Sequence, residues 1–135
     1  WLAFDKNFRG GINVAAGPLN STEMAIAVTP RGGMPAVIRL YSPEGKLLAP
    51  EWLVFDKNFR GGVKVAIGDI SGDGEGEIVA VASNGGGPQV RIFNRYGKLL
   101  GQFQAFREEA KTGYEVMIND LDGDGRGEIL VGQIN

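Results

Sequence analysis

The chain has 135 residues, of which 43% are hydrophobic and 22% charged, a composition typical of a folded globular protein. Its net charge of −2 disfavours nucleic acid as a partner, because nucleic-acid binding depends on a basic surface. Cysteine and histidine are absent, which excludes disulfides, the common zinc sites and catalytic triads that need histidine. No apolar run is long enough for a membrane-spanning helix, so we expect no membrane insertion. Because the chain begins with Trp1, we expect a trimmed or processed part of a longer protein.

The chain repeats itself at an offset of 51 residues. The segment FDKNFRGG at 4–11 returns unchanged at 55–62. The segment GDISGDGEGEI at 68–78 is matched by NDLDGDGRGEI at 119–129. Such self-similarity is typical of solenoids, propellers and other repeat architectures. It divides the single segment 1–135 into repeats 1–51 and 52–102 and a truncated third repeat, 103–135.

Each full repeat contains four short segments with strand character, separated by glycine-rich or proline-containing turns. Alternation at 63–67 predicts that Val63, Val65 and Ile67 share one face, and the apolar segment 77–83 predicts a strand buried on both sides. Trp1–Phe4 resembles a further fourth strand, which brings the expected total to about eleven. The other predicted strands are 12–16, 23–28, 36–41 and 46–55 in the first repeat, 90–94 and 98–106 in the second, and 115–119 and 128–134 in the third.

Four antiparallel strands in a unit of this length predict an all-β fold made of β-propeller blades, with an incomplete propeller in one chain. A β-sandwich also has regularly spaced strands and is the alternative. A sandwich does not require its hairpins to recur at one fixed offset, so the propeller is favoured.

Two loops carry oxygen-bearing side chains at positions 1, 3 and 5, a glycine at position 6 and a glutamate at position 9. Calcium takes six to eight hard oxygen ligands, and this alternation followed by a sharp turn suits it better than magnesium. An EF-hand would need its glutamate at position 12 and flanking helices, so we expect calcium loops between strands, about two Ca²⁺ per chain. The alternative is a solvated Asp-Gly turn. The predicted ligands are Asp69, Ser71, Asp73 and Glu77 with the backbone carbonyl of Glu75, and Asp120, Asp122, Asp124 and Glu128 with that of Arg126.

The first repeat departs from this pattern. Its corresponding segment, GPLNSTEM at 17–24, is shorter and has no Asp-Gly pair. Only Asn20, Ser21 and Glu23 could offer oxygens there, so we expect this loop to hold no metal.

The loops 5–11, 30–35, 56–62 and 83–88 should lie at the end of the strands opposite the acidic loops. Arg9 and Arg60 in these loops and the aligned Lys111 give one cation per repeat, which suggests a ligand face. The alternative is structural, with Phe8 and Phe59 packed under Gly-Gly turns, and it is favoured because binding loops usually diversify. The aromatic series Trp1, Trp52 and Phe103 predicts packing between units, with a sugar-stacking platform as its alternative.

The segments GDISGDGEGEI, NDLDGDGRGEI and SNGGGPQVRIF (83–93) resemble the FG-GAP/VCBS repeat of integrin α-subunit-like propellers and many bacterial surface proteins. The resemblance covers essentially the whole chain and implies a calcium-stabilised, extracellular propeller that displays a ligand site. No nucleophile with an activating base, phosphate loop or acid pair outside the calcium loops is evident, so we expect no enzyme.

The expected function is a calcium-binding module of the cell surface for adhesion or protein recognition. A carbohydrate-binding propeller, or lectin, and a purely structural surface-layer repeat are the alternatives. Fewer than four blades cannot close the usual ring, so we also expect a homo-oligomer, a dimer or trimer, in which chains pool their blades.

Overall fold

The structure is a computed structural model that describes residues 1–107 and 111–134. The described residues form ten β-strands and no helix, and hence no helix that could span a membrane. The all-β prediction is confirmed. The strands are β1 (Ile12–Pro18), β2 (Met24–Pro30), β3 (Val37–Tyr41), β4 (Trp52–Leu53), β5 (Val63–Gly68), β6 (Glu77–Ala82), β7 (Gln89–Phe93), β8 (Leu99–Gln104), β9 (Tyr114–Asn119) and β10 (Glu128–Gln133).

The strands form three antiparallel sheets in which chain neighbours pair. The first sheet has the order β1-β2-β3-β4, the second β5-β6-β7-β8, and the third contains β9 and β10. The first strand of each sheet lies beside the first strand of the next, because β1 contacts β5 and β5 contacts β9. The sheets are separate and do not close on themselves.

The predicted strand at Trp1–Phe4 is not formed, and the predicted strand 46–55 is reduced to Trp52–Leu53. Pro50 interrupts the longer segment, and proline cannot donate to a strand ladder. Side chains hold residues 1–4 in place instead. The Trp1 ring lies 4.4 Å from the ring of Tyr41, and the carbonyl of Ala3 accepts hydrogen bonds from the Tyr41 hydroxyl and the Arg39 guanidinium.

The main apolar core lies between the first and second sheets. Val63, Val65 and Ile67 are buried on one face of β5, as predicted, and pack with Ile38 and Leu40 of the first sheet. Every residue of β6 is buried, which confirms a strand covered on both faces. Burial of each such aliphatic side chain contributes about 1.5–3 kcal/mol, so the two sheets behave as one packed unit.

Gly62 marks a close approach between the sheets. Its φ of +88° suits glycine, and a Cβ atom there would lie 2.2 Å from the backbone oxygen of Arg31. Gly85 also has a positive φ, +63°, but a Cβ atom added there would have no neighbouring atom within 4 Å.

We therefore expect Gly62→Ala to destabilise the fold by at least about 2 kcal/mol, because backbone strain and a backbone clash act together. Gly85→Ala is the matched control and should cost only about 1 kcal/mol, since it carries the strain alone. Urea unfolding followed by tryptophan fluorescence measures both. Equal losses for the two variants would contradict the close packing at Gly62.

Candidate metal centre

The two acidic loops are closed by strand register. In the second sheet Gly68 pairs with Glu77, so the residue after Gly68, Asp69, lies beside the glutamate that ends the loop. In the third sheet Asn119 pairs with Glu128 in the same way and places Asp120 beside it. The antiparallel ladder therefore brings the first and last predicted ligands of each loop together.

The loop 69–77 is folded around the Asp69 carboxylate. Its two oxygens accept hydrogen bonds from the backbone N–H groups of Gly72, at 2.7 Å, and Gly74, at 2.8 Å. Both glycines have positive φ, 80° and 86°, which lets the chain turn around the carboxylate. At the other end of the loop, the Glu77 Oε2 atom accepts from the N–H of Ile70 at 2.8 Å.

The loop 120–128 repeats this hydrogen-bond pattern. The Asp120 carboxylate accepts from the N–H groups of Gly123 and Gly125 at 2.8 and 2.9 Å. The Glu128 Oε2 atom accepts from the N–H of Leu121 at 2.7 Å. Both loops therefore present their acidic side chains in one conformation, set by glycines at equivalent positions.

Each loop gathers its carboxylates into one cluster. One carboxylate oxygen from each member lies within 4.8 Å of those of the other members. Ser71 belongs to the first group, since its hydroxyl lies 3.3 Å from Glu77 Oε1 and 3.4 Å from Asp69 Oδ1. These clusters could hold a metal ion. Their members are Asp69, Asp73 and Glu77, and Asp120, Asp122, Asp124 and Glu128.

In the first cluster, the pKa values of Asp69 and Glu77 shift in opposite directions. Burial raises the pKa of Glu77, and the negative charges of Asp73 and Asp69 raise it further. Burial also opposes ionisation of Asp69, but the N–H groups of Gly74 and Gly72 outweigh it and lower the Asp69 pKa. A cation among these oxygens would relieve the penalty on charged Glu77.

The loops at this end of the sheets are joined backbone to backbone. The N–H of Gly76 donates to the carbonyl of Leu19 at 2.8 Å, and the N–H of Gly127 donates to that of Asp69 at 2.7 Å. A Cβ atom at Gly76 would lie 2.0 Å from the Pro18 oxygen, so glycine is required for this approach. The acidic loops are thus held in fixed positions by their neighbours.

The first repeat has an ion pair in place of an acidic cluster. Ala25 pairs with Gly17 and so occupies the position of Glu77. The remaining carboxylate, Glu23, accepts hydrogen bonds from both terminal nitrogens of Arg95, at 3.1 and 3.0 Å. The hydrogen bond from Arg95 lowers the pKa of Glu23. Sequence analysis did not identify this contact, because the two residues lie 72 positions apart, in turns next to different sheets.

Arg9, Arg60 and Lys111 lie at the opposite end of the strands, as predicted, because their segments precede β1, β5 and β9. Arg9 Nη1 donates to the Lys6 carbonyl at 2.7 Å, and Arg60 Nη1 donates to the Lys57 carbonyl at 2.6 Å. These bonds support the structural interpretation of the repeated loops. They also fix each guanidinium in place.

The aromatic residues of these loops pack beneath them. The Phe8 ring lies 5.5 Å from the ring of Phe4, and Phe59 lies 5.5 Å from Phe55. Trp52 of the first sheet contacts Phe93 of the second at a ring distance of 5.9 Å, as expected for packing between units. Phe103, the third member of that series, is exposed.

No family model, curated protein or solved structure matches the chain. Its function therefore has to be inferred from its own residues, and the two repeated acidic loops are the feature with the clearest chemistry.

Proposed function

We propose that the chain is a segment of a calcium-binding β-propeller of the FG-GAP/VCBS type, acting outside the cell as a non-catalytic module for adhesion or protein recognition. The observation that carries the proposal is that two acidic loops, 51 residues apart, share one hydrogen-bond geometry. A single solvated turn could arise by chance, but the same arrangement in two repeats indicates a common requirement. Binding of a cation supplies that requirement.

The donor set favours calcium. Carboxylate and hydroxyl oxygens are hard ligands, and a flexible loop adapts to the six to eight oxygens of Ca²⁺ more readily than to the octahedron of Mg²⁺. The side-chain oxygens alone do not complete such a shell, so the backbone carbonyls of Glu75 and Arg126 and water molecules are proposed as further ligands. One ion would occupy each loop.

The sheet arrangement supports the propeller. Two four-stranded antiparallel sheets follow each other in the chain, and their first strands lie side by side with β9 of the third sheet. A propeller places the first strand of every blade nearest to its axis, so β1, β5 and β9 would be the inner strands. The acidic loops and the loops of Arg9 and Arg60 would then lie on opposite faces.

Calorimetric titration tests the metal assignment. We expect two equivalents of calcium per chain, with dissociation constants of about 10⁻⁴–10⁻³ M as in other extracellular modules. Magnesium should bind more weakly, because it gives up its water shell reluctantly. The absence of binding heat for either ion at millimolar concentration, together with unchanged melting, would contradict the proposal.

A further inference from the structure

Three loops meet at the end of the sheets opposite the acidic clusters. The N–H of Arg31 donates to the carbonyl of Gly11 at 3.0 Å, and the N–H of Gly33 donates to that of Arg60 at 3.1 Å. The Arg31 side chain passes over Gly11, because its Cδ lies 3.0 Å from the position a Cβ of Gly11 would take. Arg31 therefore lies between the loop of Arg9 and the loop of Arg60. We call Arg9, Arg31 and Arg60 the basic row.

The basic row has unused hydrogen-bond donors. Arg9 and Arg60 each bond backbone carbonyls of their own turn through Nη1, which leaves Nε and Nη2 without a partner among the described residues. The guanidinium of Arg31 makes no hydrogen bond or salt bridge within residues 1–107 and 111–134. All three side chains belong to exposed residues. They are exposed cationic groups, and hydrogen bonds to backbone carbonyls hold those of Arg9 and Arg60 in place.

The surroundings of the row are also basic. Lys6 and Lys57 are exposed, and neither side chain has a salt-bridge partner within the described ranges. The two nearby acids, Asp5 and Asp56, accept hydrogen bonds from backbone N–H groups two residues along the chain. Five cations against two carboxylates give these loops a charge of +3. In the sequence, the third connecting segment, 107–111, has no net charge, because it contains two cations, Arg107 and Lys111, and two acids, Glu108 and Glu109.

The two ends of the molecule therefore have opposite charge. Both acidic clusters lie at the other end of the strands, with seven carboxylates between them. A negatively charged polymer would be attracted to the basic row and repelled by the acidic end, which orients it on the protein.

The chemistry of the row selects among anions. A guanidinium presents a planar fork of donors that matches the oxygens of a sulfate or carboxylate group. Protein partners are typically held by aromatic anchors set in pockets. Phe8 and Phe59, the aromatic side chains of the loops that carry Arg9 and Arg60, are half-buried against Phe4 and Phe55, so these loops themselves present charge rather than aromatic anchors.

We propose that the basic row binds an acidic polysaccharide through its sulfate or carboxylate groups. The inference rests on the recognition role proposed above and gives the chemistry of the ligand. The row crosses two repeats, so a linear polymer would contact successive loops with successive charged groups. Arg31, which repeat comparison did not identify, is its central member.

Arg31→Ser is the decisive variant. Ser83 occupies the equivalent position in the second repeat, where its N–H donates to Gly62 as that of Arg31 donates to Gly11, both at 3.0 Å. Serine therefore fits the backbone at this site. Binding is measured by calorimetry at about 1 mM calcium, with dextran sulfate and hyaluronate as the sulfated and carboxylated probes and neutral dextran as the blank.

We expect Arg31→Ser to weaken binding about two- to fivefold, because the variant loses one solvent-exposed ion pair with the polysaccharide. The triple variant Lys6→Ser, Arg31→Ser, Lys57→Ser should weaken it more than tenfold. Lys46→Ser, in the turn between β3 and β4, removes the same charge elsewhere and should change nothing. Binding should also fall between 50 and 500 mM salt, because exposed charges are screened.

Unchanged binding in the triple variant, equal binding of neutral dextran, or tighter binding of polyglutamate than of either polysaccharide would overturn the inference. Melting of each variant with and without calcium is recorded alongside. A variant whose melting temperature still rises with calcium but which no longer binds the polysaccharide supports the basic row as the binding site, independently of the metal sites. Polysaccharide binding that depends on Arg31 in a protein without a calcium response would leave this inference standing and refute the metal proposal.

Discussion

Calcium at one hundred times its dissociation constant, about 10–100 mM, should raise the melting temperature of the protein by about 20 °C. At one hundred times the dissociation constant, each ion that binds only the folded chain adds about 2.7 kcal/mol to the free energy of unfolding. For a chain of this length each kcal/mol corresponds to about 4 °C. Calcium should bind the folded chain because the ions relieve the repulsion among the seven clustered carboxylates.

Single substitutions show how much each acidic loop contributes to the calcium-induced rise in melting temperature. Asp73→Ala and Asp124→Ala should each remove one equivalent of calcium and about half of the calcium-induced rise in melting temperature. Glu44→Ala is the matched control, since Glu44 is an exposed acid in a turn outside both clusters. Scanning calorimetry with calcium and with chelator gives the result. A melting temperature that is the same in both conditions would refute calcium binding as the role of these loops.

The local elements could be predicted from the sequence because each depends on neighbouring residues. Alternation in β5 and continuous apolar character in β6 set their burial, and glycines at fixed positions set the acidic loops. Both loops then appeared where the repeat offset placed them. Strand register, which the repeat also determines, brings the first and last carboxylates of each cluster together.

The features that sequence analysis missed depend on packing between sheets. Glu23 and Arg95 form an ion pair because the first and second sheets pack together. The pair is not repeated in the sequence, so comparison of the repeats does not predict it. Arg31 joins the basic row because glycines in two different loops let its segment pass between them. Trp1–Phe4 resembles a strand in sequence, but a strand needs a paired neighbour, and here the segment is held through side chains of the first sheet.

The exposed face of the first sheet should make the protein self-associate. Ile12 and Val14 are 46% and 62% exposed, whereas Val63 and Val65, which are 51 residues further on, are 0% and 8% exposed. The second pair is covered by the first sheet, and the first pair has no cover among the described residues. With Trp1 and Leu2 these side chains border an open cavity of about 540 Å³.

We propose that a second copy covers this face, as the first sheet covers the second, so that chains pool their sheets into a dimer or trimer. Uncovered apolar surface of this kind favours association, and each buried aliphatic side chain contributes about 1.5–3 kcal/mol. Light scattering after size exclusion, with calcium present, should give a mass that is a multiple of 14.4 kDa and that falls on dilution.

Val14→Asp should shift this equilibrium to the monomer, because an aspartate on the apolar face would be desolvated in the interface. Tyr96→Ser removes another large exposed side chain, 71% accessible in the turn between β7 and β8, and should leave the mass unchanged. Since Val14 is already exposed in the single chain, its substitution should not lower the melting temperature of the monomer. A calcium-loaded wild-type protein that runs as a single 14.4 kDa species at tens of micromolar would show that the face stays open.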